Sequence, residues 1–202
     1  DELDRLVGRI TIDDIVDVIK EEADQDYQLA AGISQDIEAD DSIIEHTKAR
    51  LPWLVLALLG GFISVKVLGL FEGAMLLHGN LFFFTPLIAA MAGNVGVQSS
   101  AIIVQGLAND SLSGSLFNRL IKEVSLSLLN GIILATILFL GSHFLLNVEI
   151  IIGVIVTTAL ISVIIIASLI GTFIPLLLNK FKIDPALATG PFITTSNDIF
   201  GI

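Results

Sequence analysis

The chain has 202 residues, 54 % of them hydrophobic and only 15 % charged, with a mean hydropathy of +0.88. Long apolar runs at this density exclude an ordinary soluble domain and point to an integral membrane protein. A net charge of −11 argues against nucleic acid, which needs a basic surface, and the absence of cysteine excludes disulfides, thiolate metal sites and thiol nucleophiles.

The charge is unevenly placed. Asp1–Glu45 carries fifteen acids against Arg5, Arg9 and Lys20, whereas His46–Ile202 carries six acids against seven bases. An acidic soluble segment therefore precedes a nearly neutral membrane domain. In chain order, Leu6–Ile12 reads as a short strand ending a soluble module. Thr11 then caps a helix over Ile12–Asp26, with Asp13 and Asp14 in its first turn. Its apolar residues Ile12, Ile15, Val16 and Ile19 follow a helical period and need a partner surface, so most of a soluble domain is expected to precede Asp1. The same helix carries Asp13, Asp14, Asp17, Glu21, Glu22, Asp24 and Asp26 against Lys20. Two readings are open: a solvated acidic face, or a surface whose like-charge repulsion divalent cations relieve. A second acidic stretch, Asp36–Asp41, leads to a juxtamembrane helix over Ser42–Arg50.

Five apolar runs follow, at about 52–71, 81–107, 120–146, 150–178 and 186–202. A span needs about 20 residues to cross a core of about 30 Å. The last run is short for that, and the reading expects it to be truncated. Lys48 and Arg50 precede the first run, Arg119 and Lys122 start the third, and Lys180 and Lys182 follow the fourth. The turns between the first two runs and between the third and fourth lack Lys and Arg. This bias predicts a cytoplasmic N-terminus and a C-terminus outside. Lys66, inside the first run, either snorkels to the outer interface or faces the bundle.

Polar groups at membrane depth mark function. The second run is read as broken by Ala89–Ser100, where Gly93 and Gly96 accompany Asn94, Gln98, Ser99 and Ser100. Such residues either glue helices together or line an aqueous path. The fifth run opens with Asp184-Pro185, a helix-start pattern, and Gly190-Pro191 invites a break. Asp198 is the only acid well inside any run. A carboxylate there costs roughly 2.5–3.5 kcal/mol on insertion scales, so it faces water or a partner. Thr194 lies four residues before it on the same helix face, with Gly201 near that face. Hydroxyl, carboxylate and backbone oxygens are the hard ligands that Mg²⁺ and Ca²⁺ prefer. One carboxylate cannot cage such an ion, but a two-fold dimer would supply two copies of Asp198. A proton relay or an interhelical hydrogen bond is the competing reading of Asp198. The three histidines form no i,i+4 pair, and no zinc-protease, nucleophile-elbow or phosphate-loop motif occurs; a transporter, not an enzyme, is expected.

These residues resemble the MgtE magnesium channels and transporters. The resemblance rests on Pro86–Ser100, on Lys122-Glu123 and on Asp184–Asp198, with Thr11–Asp17 similar to the end of a CBS domain. It implies an all-α membrane protein: a homodimeric bundle of five transmembrane helices per subunit, preceded by a short cytoplasmic CBS-domain remnant. The implied divisions are 1–32 for that remnant, 33–50 for a linker and juxtamembrane plug helix, and 51–202 for the transmembrane domain. It further implies a pore on the dimer axis in which Asp198 holds hydrated Mg²⁺, with Asn94, Thr194 and Gly201 along the path. Asp14, Asp17, Glu22 and Asp26 match positions that bind regulatory Mg²⁺. Ala92, Val97 and Gln25 depart from the family's pattern.

The expected function is Mg²⁺-selective passage through the bilayer, gated by cytoplasmic Mg²⁺, with Mn²⁺, Co²⁺ or Ca²⁺ as surrogate ions. The alternative is a divalent-cation exchanger coupled to H⁺ or Na⁺. A third reading is a membrane scaffold or sensor with no flux of its own.

Overall fold

A computed structural model describes residues 8–34, 36–112, 114–188 and 190–201. Helix α1 spans Ile12–Ala30. Its start is closed by a capping box: the Asp14 carboxylate accepts from both the backbone N–H and the hydroxyl of Thr11, each at 2.7 Å. The expected strand over Leu6–Ile12 is not found where it can be seen. Gly8–Thr11 is not in a strand and Ile12 already starts α1, while Leu6 and Val7 lie outside the described residues. A strand needs a paired neighbour, and the described residues contain none. Ile12, Ile15, Val16 and Ile19 are exposed, so the apolar face of α1 has no cover among the described residues.

Helix α1 ends in a Schellman turn. Ile33 N–H donates to Gln28 O at 2.9 Å and Gly32 N–H to Leu29 O at 3.0 Å. Gly32 sits at φ +78°, a conformation that glycine adopts without penalty. The chain then doubles back. The Gln28 side chain clamps Ile37 through two hydrogen bonds of 2.9 and 3.2 Å, and Ser34 donates from its backbone and its hydroxyl to Ala49 O.

Helix α2, Ile43–Gly69, starts at a second capping box, Ser42 with Glu45. The expected juxtamembrane helix and the first span are one element, for α2 runs through Pro52 without ending. Proline removes one amide donor, but it falls late enough that the capped first turns persist. Lys66 is exposed in the last turn of α2. Two short helices, α3 (Glu72–Leu77) and α4 (Gly79–Phe82), turn the chain into α5, Thr85–Ala108. The second run is not broken: α5 is continuous from Thr85 to Ala108. Its glycines make room for neighbouring helices instead of bending their own.

Helix α6 spans Leu116–Phe144 and α7 spans Ile150–Lys180. A 3₁₀ turn at Pro185–Ala188 precedes α8, Pro191–Phe200. Four segments are long and apolar enough to cross a membrane: α2, α4 with α5, α6 and α7. Each has 27 or more residues, about 40 Å of helix. The fifth run carries no helix of that length among the described residues; α8 has ten residues. The architecture is all-helical among the described residues.

Packing centres on α7, flanked by α5 and α6, while α8 wedges between α2 and α5. Small residues set the approach. A Cβ on Gly171 would strike the backbone of Gly96, within 3.1 Å of its carbonyl carbon and Cα. The Ser127 hydroxyl donates to Ser168 at 2.5 Å between α6 and α7. At the far end from α1, Phe84, Ile88 and Val156 form an apolar cluster. Leu54, Leu58 and Phe62 on α2, and Leu129, Ile133 and Ile137 on α6, stay exposed. Apolar surface of this extent is tolerated in lipid, not in water.

Candidate functional site

The site is built on α8, and the sequence before it sets its start. The Asp184 carboxylate accepts from Ala186 N–H at 2.8 Å and caps the 3₁₀ turn. Gly190 follows, so close to α1 that a Cβ would meet the carbonyl oxygen of Ala30. Pro191 then opens α8 with its fixed φ, and its ring lies against Gly32, where a Cβ would come within 2.8 Å of Pro191 Cδ. The end of α1 thus seats on the start of α8.

Buried Ile193 and Asn197 turn one face of α8 into the bundle. Asn197 Nδ2 donates to Ala92 O of α5 at 3.1 Å, in a fully buried setting. Gly96 makes this possible, because a Cβ there would overlap Nδ2 and lie 2.8 Å from Ile193 Cγ2. On the other flank Thr195 presses its methyl group onto Gly60 of α2. With those faces engaged, Asp198 is left exposed. Its side chain has no hydrogen bond or ion pair among the described residues.

The pore residues expected from the sequence separate into two groups. Asp198 and Thr194 share an edge of α8. Thr194 bonds to Pro191 O at 3.1 Å, and its methyl lies 3.9 Å from where a Cβ on Gly93 would be. Asn94, the next residue of α5, is exposed beside that seam, as is Gln98. Gly201 is instead buried against Ala89 and Ala92 of α5; its lack of a side chain serves the helix contact. Asn197 was not singled out by sequence reasoning. The available signal was its position four residues after Ile193, which places an amide on the packed face.

The four acids expected to bind regulatory Mg²⁺ do not converge. Asp14 is spent on the α1 cap, and the two Thr11 hydrogen bonds, backbone first, hold its pKa below the usual carboxylate value. Asp17 lines a cleft of about 650 Å³ between α1 and the start of α2, together with Glu21, Asp24, Asp36 and Glu38 and with Lys20, His46 and Arg50. Glu22 is exposed. Asp26 lies near Asp184: burial first, then the Asp184 charge, pushes its pKa up. No cluster of three or more His, Asp or Glu able to hold a metal occurs among the described residues.

Comparison with known proteins bears on this arrangement. Residues 85–202, from the start of α5 to the end of the chain, match the family model MgtE, described as a divalent cation transporter. The chain belongs to the MgtE family. Three curated relatives carry the name magnesium transporter MgtE. The one from Bacillus subtilis is 38 % identical over 198 residues, covering 98 % of this chain and 44 % of the relative. Those from Enterococcus faecalis and Thermus thermophilus are 36 % and 31 % identical, covering 98 % and 100 % of this chain and 44 % and 45 % of theirs. This MgtE chain thus spans a little under half the length of these relatives.

Proposed function

We propose that this MgtE chain is the membrane part of a Mg²⁺ transporter, and that Asp198 is the group that draws the ion in. The observation that carries the proposal is the carboxylate itself: exposed, with no hydrogen bond or ion pair among the described residues, and held by a helix whose neighbouring amide is anchored in the bundle. The family membership supports divalent cation transport. The relatives' names support Mg²⁺ as the ion.

Two copies of the chain complete the site in this reading. A two-fold axis beside the α5–α8 seam sets two Asp198 carboxylates across a shared passage. Asn94 and Thr194 orient the water shell, which Mg²⁺ sheds reluctantly. The ion crosses hydrated, without a dedicated cage. With the N-terminus cytoplasmic and the C-terminus outside, an inside-negative potential drives entry by about 4.6 kcal/mol per 100 mV for a divalent ion crossing the full field. The passage then needs no chemical energy source.

The acidic segment supplies regulation in this reading. Asp26 and Asp184 repel each other where α1 seats before α8. Cytoplasmic Mg²⁺ relieves that repulsion and favours the seated, closed arrangement by binding it better than the open one.

The test is Mg²⁺ flux into liposomes reconstituted with the chain, with and without Asp198→Ala. Loss of flux in a variant that still folds and associates is the expected result. Unchanged flux removes Asp198 from the path. Flux that requires an H⁺ or Na⁺ gradient turns the channel into an exchanger, and no flux from the wild type leaves a scaffold or sensor.

A further inference from the structure

At the end of the bundle nearest α1, α5 and α6 part company. Helix α6 packs along α7 and meets α5 through a hydrogen bond of 2.6 Å from the Ser99 hydroxyl to Glu123 Oε1. Below that bond a groove of about 560 Å³ opens between the two helices. Its apolar lining includes Ile102 and Leu126, and its polar lining Asn118, Arg119 and Lys122. The one acid in the lining, Glu123, is half-buried and turned into the helix contact. The mouth of the groove is therefore cationic while its inner wall is apolar.

The groove has a direction. Leu126 lies seven residues deeper than Arg119 along α6, about 10 Å at 1.5 Å per residue. Arg119 lies in the first turn of α6 and Lys122 in the second, while Leu126 lies one turn beyond Lys122 and Ile102 six residues before the end of α5. Both apolar residues are more than 40 % exposed, Ile102 at 63 % and Leu126 at 48 %. In a bilayer such a slot does not stay empty. No described residue of α2 or α8 is among the groove's lining, so it stands apart from the α2–α8 contact that carries Thr195.

We propose that this groove is a binding site for one anionic phospholipid, its phosphate held by Arg119 and Lys122 and one acyl chain laid against Ile102 and Leu126. Charge complementarity selects the occupant. A zwitterionic lipid offers the same chain but no net charge, and basic pockets between helices at the cytoplasmic face hold anionic headgroups. The bound lipid braces the end of α5 against α6, beside the Ser99–Glu123 hydrogen bond. The orientation proposed above decides which leaflet supplies it; the site itself does not depend on Asp198 or on Mg²⁺.

The test is native mass spectrometry of the full chain in detergent, titrated with phosphatidylglycerol, phosphatidylcholine or inorganic phosphate. The expected result is retention of one phosphatidylglycerol per chain, no matching adduct with phosphatidylcholine, and no displacement by millimolar phosphate. Arg119→Gln with Lys122→Gln should weaken retention roughly twenty-five-fold, about five-fold for each cation lost. Lys180→Gln with Lys182→Gln, at the same end of the bundle, should leave it unchanged. Leu126→Trp fills the apolar wall with both cations intact and should expel the lipid as well. Undiminished retention in the Arg119/Lys122 variant overturns the proposal, as does equal loss in the Lys180/Lys182 variant, which would mean surface charge alone. Displacement by phosphate would mean an anion site without a lipid, and dissociation of an oligomer by Leu126→Trp would mean a contact between copies; either refutes the assignment.

Discussion

Gly96→Ala asks whether the glycines of α5 exist to admit α8. Alanine in place of glycine gains about 1 kcal/mol inside a helix. At Gly96 that gain meets opposition on two sides. The new methyl would overlap Asn197 Nδ2 and lie 2.8 Å from Ile193 Cγ2, and the Gly96 backbone is already in contact with Gly171 of α7. Overpacking of this kind costs about 1–3 kcal/mol, and displacing Asn197 forfeits its bond to Ala92 O, about 1 kcal/mol. The net loss is about 1–3 kcal/mol. Gly61 is the internal control, since a Cβ there meets nothing within 4 Å and the full propensity gain remains. The two variants should differ by about 2–4 kcal/mol, a separation in melting temperature of roughly 4–16 °C for a chain of this size. Thermal unfolding in detergent, followed by size-exclusion chromatography, reads that separation. Gly93→Ala should melt with Gly61→Ala, because its only near neighbour among the described residues, Thr194 Cγ2 at 3.9 Å, is an ordinary contact. A Gly96→Ala protein that melts with Gly61→Ala and transports Mg²⁺ normally would show that α8 is not keyed to this position.

Four further outcomes follow from the geometry. Asn197→Leu keeps the apolar packing but loses the anchor, so Mg²⁺ flux should fall while the Gly61 region is unaffected; retained flux would mean that Asp198 needs no fixed bearing. Because burial and Asp184 raise the Asp26 pKa, the folded protein holds that proton more tightly than the unfolded chain. Stability should therefore fall as pH rises above the ordinary carboxylate value of 3.8 through the raised one. Asp26→Asn should accordingly raise the melting temperature at pH 7 and not at pH 4, and an equal gain at both would refute the repulsion. Asp14 has the opposite sign: its pKa is depressed by the Thr11 hydrogen bonds, so its contribution is present above 3.8 and lost as pH falls through the lowered value. Asp14→Ala should reduce α1 helicity by circular dichroism at pH 7 and converge with wild type in strong acid. Gly32→Ala forces a side chain into a left-handed conformation, about 1–2 kcal/mol, and against Pro191; it should expose the Ala30–Gly32 turn to proteolysis.

Much of this was readable in advance because apolar length is a strong signal. The run at 150–178 starts where α7 starts and ends two residues short of it, and the run at 120–146 is offset from α6 by four residues at its start and two at its end. The Gly190-Pro191 break and the Asp184 cap were equally plain. What could not be read was the use made of small residues. Gly93 and Gly96 look the same whether a helix breaks there or another helix docks, and only the positions of Gly171, Thr194 and Asn197 decide between them. The merging of the juxtamembrane helix with the first span was hidden by Pro52, although the Ser42–Glu45 capping box was present in the sequence. Asp198 stood out because a charge in an apolar run is rare. The adjacent Asn197, whose burial orients that charge, did not, because one amide among hydroxyls carries no such contrast.

Helix α8 is gripped like a key with a notch on either side, Thr195 in the gap at Gly60 and Asn197 in the gap at Gly96. Rotation about its own axis would drive Thr195 and Asn197 out of both gaps. In the reading proposed for Asp198, moving its carboxylate means shifting α2 or α5 along with α8, a sliding of walls and not the twist of a single shaft.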